Sequence, residues 1–153
     1  MDRFALATLV LTCTLVTVKV EAAPPVLKPV KVSKSEIAGT IFLRKDAVNE
    51  SKDGTTTTDV VTFTSGDSAF QTGIYKSGPF HEEIKDASGY PYNEFLYFLS
   101  GSVTFTSSDG SVMTVNAGEA VTLPKGWSGT FKTLGYTKLY VTYNPDDIKR
   151  LSQ

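Results

Sequence analysis

From Ile37 to Tyr143 the chain is a succession of short runs rich in Val, Thr, Phe and Tyr, cut at intervals by Gly, Ser, Asp and Pro. This punctuation constrains the fold more than any other feature, because strands of this length and spacing belong to β-sandwiches and barrels. It predicts strands near 37–44, 59–65, 69–76, 79–85, 92–99, 102–107, 111–115, 119–123, 128–133 and 137–143. "SSDGS" (Ser107–Ser111) reads as a hairpin turn, since Asp-Gly readily supplies the positive φ that tight hairpins need. Three prolines (Pro24, Pro25, Pro29) make residues 23–36 an extended lead-in rather than a helix. The one expected helix is short and C-terminal, Pro145–Leu151, with acids in its first turn and bases in its last.

The N-terminus has a different character. Arg3 precedes the apolar run Phe4–Val18, which ends at Lys19, and Val20 and Ala22 stand at the −3 and −1 positions of a signal-peptidase site. Residues 1–22 therefore read as a secretory signal peptide, cleaved after Ala22. A membrane span needs about 20 apolar residues, and this run is shorter. The expected organisation is a leader (1–22), a Pro-rich lead-in (23–36) and one domain (37–153), secreted and free of the membrane after cleavage. Cleavage removes Cys13, the one cysteine, and with it any disulfide or thiolate ligand. Asn49-Glu50-Ser51 is a glycosylation sequon in what reads as an exposed loop. With 15 basic against 16 acidic residues, the chain has no basic excess for nucleic acid.

Within "YPYNEFLYFLSG" (Tyr90–Gly101), alternation puts Tyr92, Glu94, Leu96 and Phe98 on one face, and Asn93, Phe95, Tyr97 and Leu99 on the other. Both faces are largely apolar, so the strand is expected to be covered on both sides, one face lining a barrel interior and the other meeting a second layer or subunit. A carboxylate inside a barrel is costly unless paired, hydrogen-bonded, protonated or metal-bound, which makes Glu94 the leading site candidate. Lys138 shares a face with Tyr140 and Thr142. If that face is interior, Lys138 can pair with Glu94, as a structural ion pair or as an acid/base couple. Tyr75, Tyr90, Tyr92 and Trp127 are candidate pocket residues. Trp127 could equally be a packed core side chain. Ser/His/Asp and Cys/His schemes have only His81 to build on, and there is no phosphate-binding glycine loop.

"EFLYFLSG" and "GEAVTLPKG" together resemble the two conserved stretches of the cupin superfamily. The longer pattern over about residues 60–143 is most similar to the cupins grouped with ureidoglycine aminohydrolase and the ethanolamine-utilisation cupin. The resemblance implies an all-β, double-stranded β-helix (jelly-roll) barrel, often dimeric, with Gly101 and Gly118 at tight turns. Metal-binding cupins carry His-x-His shortly before the Glu and a third His three residues after the Pro-x-Gly. Here "ASGYPYN" precedes Glu94, and the third position is Gly129. A three-His site is impossible with His81 alone, so no cofactor is expected. The remaining possibility is a divalent metal held by His81, Glu83 and Glu94, against the plainer reading of His81–Glu83 as a solvated strand. The expected function is binding of a small organic molecule, with Glu94 as acceptor or general base. The alternatives are a ureidoglycine aminohydrolase-like enzyme, a metal-free isomerase or lyase using Glu94 with Lys138 or Tyr as acid/base partner, and a secreted scaffold protein.

Overall fold

The computed structural model describes residues 26–85 and 87–146. The leader and the region of the expected C-terminal helix from residue 147 onward lie outside them. Eight strands form one antiparallel sheet: β1 (Val48–Lys52), β2 (Thr55–Thr64), β3 (Phe70–Ser77), β4 (Phe80–Ile84), β5 (Asn93–Ser107), β6 (Val112–Asn116), β7 (Ala120–Leu123) and β8 (Gly129–Tyr143). The order is β1-β2-β3-β8-β5-β6, with β4 also pairing β8 and β7 also pairing β5. The mostly antiparallel, nearly helix-free arrangement is the expected all-β jelly-roll barrel.

Two long strands organise it. Residues 92–99 and 102–107, expected as separate strands, are one strand, and so are 128–133 and 137–143. Gly101 is therefore not at a turn. It lies within β5 at φ +73, between register shifts at Phe98/Ser100 and Ser102/Thr104 against β8. A glycine there bends a strand without ending it. Gly135 (φ +127) pairs with Ser102, so β5 and β8 bend at the same level and the sheet folds over on itself. A Cβ on Gly101 would run into the Gly135 carbonyl. Gly118 does sit in a turn, between β6 and β7, and Ser108–Gly110 turn β5 into β6.

Inside the barrel, Leu96, Phe98, Val103, Phe105, Val115, Leu123, Phe131, Tyr136 and Tyr140 form the main core. A smaller cluster, Ile41, Val60 and Ile74, lies on the outer face. The segment covering it differs from expectation. Lys34–Ile37 is one α-helical turn, α1, and Thr40–Leu43 a 3-10 turn, where an extended lead-in and a first strand were expected. Ser33 and Glu36 cap α1 reciprocally, each bonding the other's backbone N–H. The hydrophobic residues Ile41 and Phe42 then pack on the sheet as a plug, not as a ninth strand. Asn49 is exposed as expected, but on edge strand β1 instead of a loop, and its Oδ1 accepts the Thr58 hydroxyl at 2.8 Å.

Candidate functional site

Alternation along β5 places Glu94, Leu96 and Phe98 inward and buried, with Glu94 only 3% exposed. The opposite face is not covered in the single chain: Phe95 is 43% and Tyr97 39% exposed. The plug over the outer face reaches Leu99 and Leu139 but leaves these aromatics bare.

On β8 the same alternation turns Lys138, Tyr140 and Thr142 inward. Cross-strand pairing aligns Asp59 with Tyr75, Tyr75 with Lys138, and Lys138 with Phe98, one row across β2, β3, β8 and β5. From this row Lys138 reaches back to Glu94, Nζ donating to Oε1 at 3.0 Å. Its ammonium also lies 5.3 Å from the Tyr75 ring centre, 5.8 Å from Tyr140 and 5.9 Å from Tyr136, an aromatic surround that favours positive charge. The other Glu94 oxygen, Oε2, accepts the Tyr90 hydroxyl. Both oxygens of the buried carboxylate are thus engaged, which is the condition for tolerating it there.

Tyr90 arrives on the loop before β5. Its N–H donates to the Trp127 carbonyl at 2.7 Å, and its carbonyl accepts from Gly126 N–H at 2.8 Å. Gly89 (φ +63) lets the two segments meet, since a Cβ there would strike the Gly126 backbone. Tyr92 stacks edge-on against Tyr90, ring centres 5.2 Å apart. These groups surround a cavity of about 610 Å³, lined among others by Asp59, Tyr75, Glu82, Tyr90, Glu94 and Lys138.

Burial, the largest influence, pushes the Tyr90, Tyr136 and Tyr140 hydroxyls above the usual phenol range. Neighbouring charge adds to it, Glu94 at Tyr90 and Asp59 at Tyr140. They are held protonated, and two of them act as donors, Tyr90 to Glu94 Oε2 and Tyr140 to Asp59 Oδ1, the latter at 3.0 Å. Burial also raises the Asp59 carboxyl, against the lowering effects of the Tyr140 bond and the Lys138 charge. A protonated tyrosine, a carboxylate and an ammonium in contact can orient a polar ligand or relay a proton.

Of the residues singled out from sequence, Glu94, Lys138, Tyr75, Tyr90, Tyr92 and Glu83 line this one cavity. Trp127 does not. It packs edge-on against Phe105 and Phe131, at 6.0 and 5.4 Å, and its Nε1–H donates to Ser107 Oγ at 3.1 Å. The set His81, Glu83, Glu94 is not assembled either. Among the described residues no three His, Cys, Asp or Glu side chains converge as metal ligands. On β4, Phe80 and Ile84 pack against the barrel core and Glu82 shares their face. His81 and Glu83 alternate to the other face of β4; Glu83 still borders the cavity, but its carboxylate is ion-paired with Lys85 at 2.8 Å. The donor set at Glu94 does not fit a transition metal: it offers no imidazole, and the Lys138 ammonium already binds the carboxylate as its cation.

Asp59 and Glu82 were missed. Glu82 had a usable signal, since alternation sets it opposite His81 and Glu83. Asp59 had none beyond being a carboxylate at the start of an apolar strand.

Residues 64–139 match the model of the EutQ-like cupin domain. Among solved structures, the chain is similar to the Clostridium difficile EutQ protein at 23% identity, over 76% of this chain and 82% of that one, with a TM-score of 0.50. It is similar at 19% identity to a protein of unknown function from Pseudomonas syringae pv. tomato, with a TM-score of 0.56, over 63% of this chain. The match spans 43% of that protein's length. A protein of unknown function from Rhizobium leguminosarum bv. viciae aligns over 76% of this chain and 98% of its own, at 19% identity and a TM-score of 0.53. Likeness at these identities shows a shared fold. Among curated proteins, none matches.

Proposed function

Because the chain belongs to the cupin superfamily, with a EutQ-like domain, we propose that it binds a small organic molecule inside the barrel without a metal ion. The observation that carries this reading is the buried Glu94–Lys138 pair, joined by Tyr90, facing an open cavity. A buried ion pair adds little net stability compared with apolar side chains of the same size. Its place here, beside a cavity large enough for a small ligand, supports a binding role. Glu94 and Lys138 accept and donate hydrogen bonds to the ligand, and Tyr75 and Tyr92 supply ring surface. The same three groups support a second reading, a metal-free isomerase or lyase in which Glu94 takes a proton that Lys138 or Tyr90 returns. A ureidoglycine aminohydrolase-like reaction would need metal ligands that Gly129 and "ASGYPYN" do not provide.

The bare outer face supports a homodimer. Phe63, Phe70, Phe95, Tyr97 and Tyr143 are exposed there and carry no charge, so a two-fold copy meets this surface without like-charge repulsion. The apolar leader supports secretion, with Ala23 as the first residue of the mature chain.

Native mass spectrometry of the untagged secreted protein, dialysed without chelator, tests these points together. The expected spectrum shows a dimer, an organic adduct and no stoichiometric metal. The adduct should be absent from the double variant Glu94→Gln/Lys138→Met, which removes both charges without leaving either buried alone. One manganese, zinc or iron per chain would overturn the metal-free reading. Phe95→Lys should move the dimer to monomer, and an unchanged dimer would remove this face from consideration.

A further inference from the structure

A second cleft, of about 440 Å³, lies against the barrel cavity and shares Tyr75, Phe80 and Glu82 with it. Glu82 is thus on the wall of both. Glu83 has Lys85 and Glu94 has Lys138. Glu82 has no ion-pair or hydrogen-bond partner among the described residues, and Asp59 has a hydroxyl but no ion pair. Among the described residues, Lys138 is the one Lys or Arg on the wall of the barrel cavity, and Glu94 already pairs with it.

We infer that the ligand carries a positive charge, as an aliphatic ammonium or a guanidinium, and that Glu82 is the residue that selects it. The inference rests on the reading of the barrel as a ligand site. One feature supports it independently of the carboxylates themselves, and the position of Glu82 adds to it. The rings of Tyr75, Tyr136 and Tyr140 already hold one ammonium, that of Lys138, at 5.3 to 5.9 Å, so the walls favour cations. And Glu82 stands where the two spaces adjoin, so a ligand in either meets it. In the barrel cavity an anionic ligand would face Asp59 and Glu82 with Lys138 already paired, which is discrimination by repulsion; the adjoining cleft is mixed in charge, with Lys52 beside Glu50, Asp53 and Glu82.

Isothermal titration of the full chain with n-butylammonium, 1-butanol and butyrate, at low ionic strength, tests this with three probes of similar size and different charge. The ammonium should bind at least tenfold more tightly than either of the others. Glu82→Gln should weaken it about tenfold while leaving 1-butanol unchanged. Glu82 is exposed, so the variant should fold normally. Butyrate or butanol binding as well as the ammonium, or ammonium binding indifferent to Glu82→Gln, would overturn the charge preference and leave the cavity standing as a ligand site. Silence from all three probes would count against the cavity itself.

Discussion

Lys138→Met should destabilise the protein by roughly 3–5 kcal/mol, because it strands the Glu94 carboxylate in the barrel with only the Tyr90 hydroxyl for company. For a domain of this size that is a fall in Tm on the order of 10–20 °C. The double variant Glu94→Gln/Lys138→Met should recover most of the loss, since it removes both charges and keeps the volume. The comparison is made by urea unfolding of wild type, single and double variants. If Lys138→Met costs less than about 1 kcal/mol, Glu94 is not held as a buried ion paired with Lys138. If the double variant is no better than the single, the damage lies in packing and not in charge.

Alkaline conditions should unfold the protein steeply. Tyr90 and Tyr136 have their hydroxyls raised above the unfolded value of about 10. A raised tyrosine keeps its proton when folded and loses it when unfolded, so the unfolded chain binds fewer protons once pH passes about 10. The stability these groups confer is complete below that pH and is lost above it. Each contributes a slope approaching about 1.4 kcal/mol per pH unit, and the two together about 3. Tyr140, raised by burial and by Asp59, adds a comparable share. Urea midpoints at pH 9, 10 and 11 check this, with Tyr136→Phe expected to reduce the slope by one group's share. A midpoint that stays flat from pH 9 to 11 would contradict the burial of these hydroxyls.

How much of this was legible depended on the range of the signal. Glu94 and Lys138 could be placed because alternation is local, and a charged residue within an apolar face stands out over five residues. The merging of strands into β5 and β8 could not. Gly101 and Gly135 carry the same letter as the turn glycine Gly118, and whether a glycine bends a strand or ends it depends on the partner strand running past it. The capping pattern Ser33-x-x-Glu36 was present in the sequence, but the prolines nearby favoured an extended reading. Trp127 was open from sequence, and its packing depends on Phe105 and Phe131, which approach it from other strands. Asp59 became a wall residue only through its cross-strand row to Tyr75 and Lys138, a relation no single run of residues contains.

The two backbone bonds between Tyr90 and the Gly126–Trp127 turn have a kinetic meaning. Tyr90 is fixed to the strand framework before any ligand arrives, so this part of the site is preorganised. Capture then requires no ordering of the Tyr90 anchor, and little affinity is lost to immobilising it. Association should follow simple bimolecular kinetics, its observed rate rising linearly with ligand concentration, as for a receptor that is already in its bound shape.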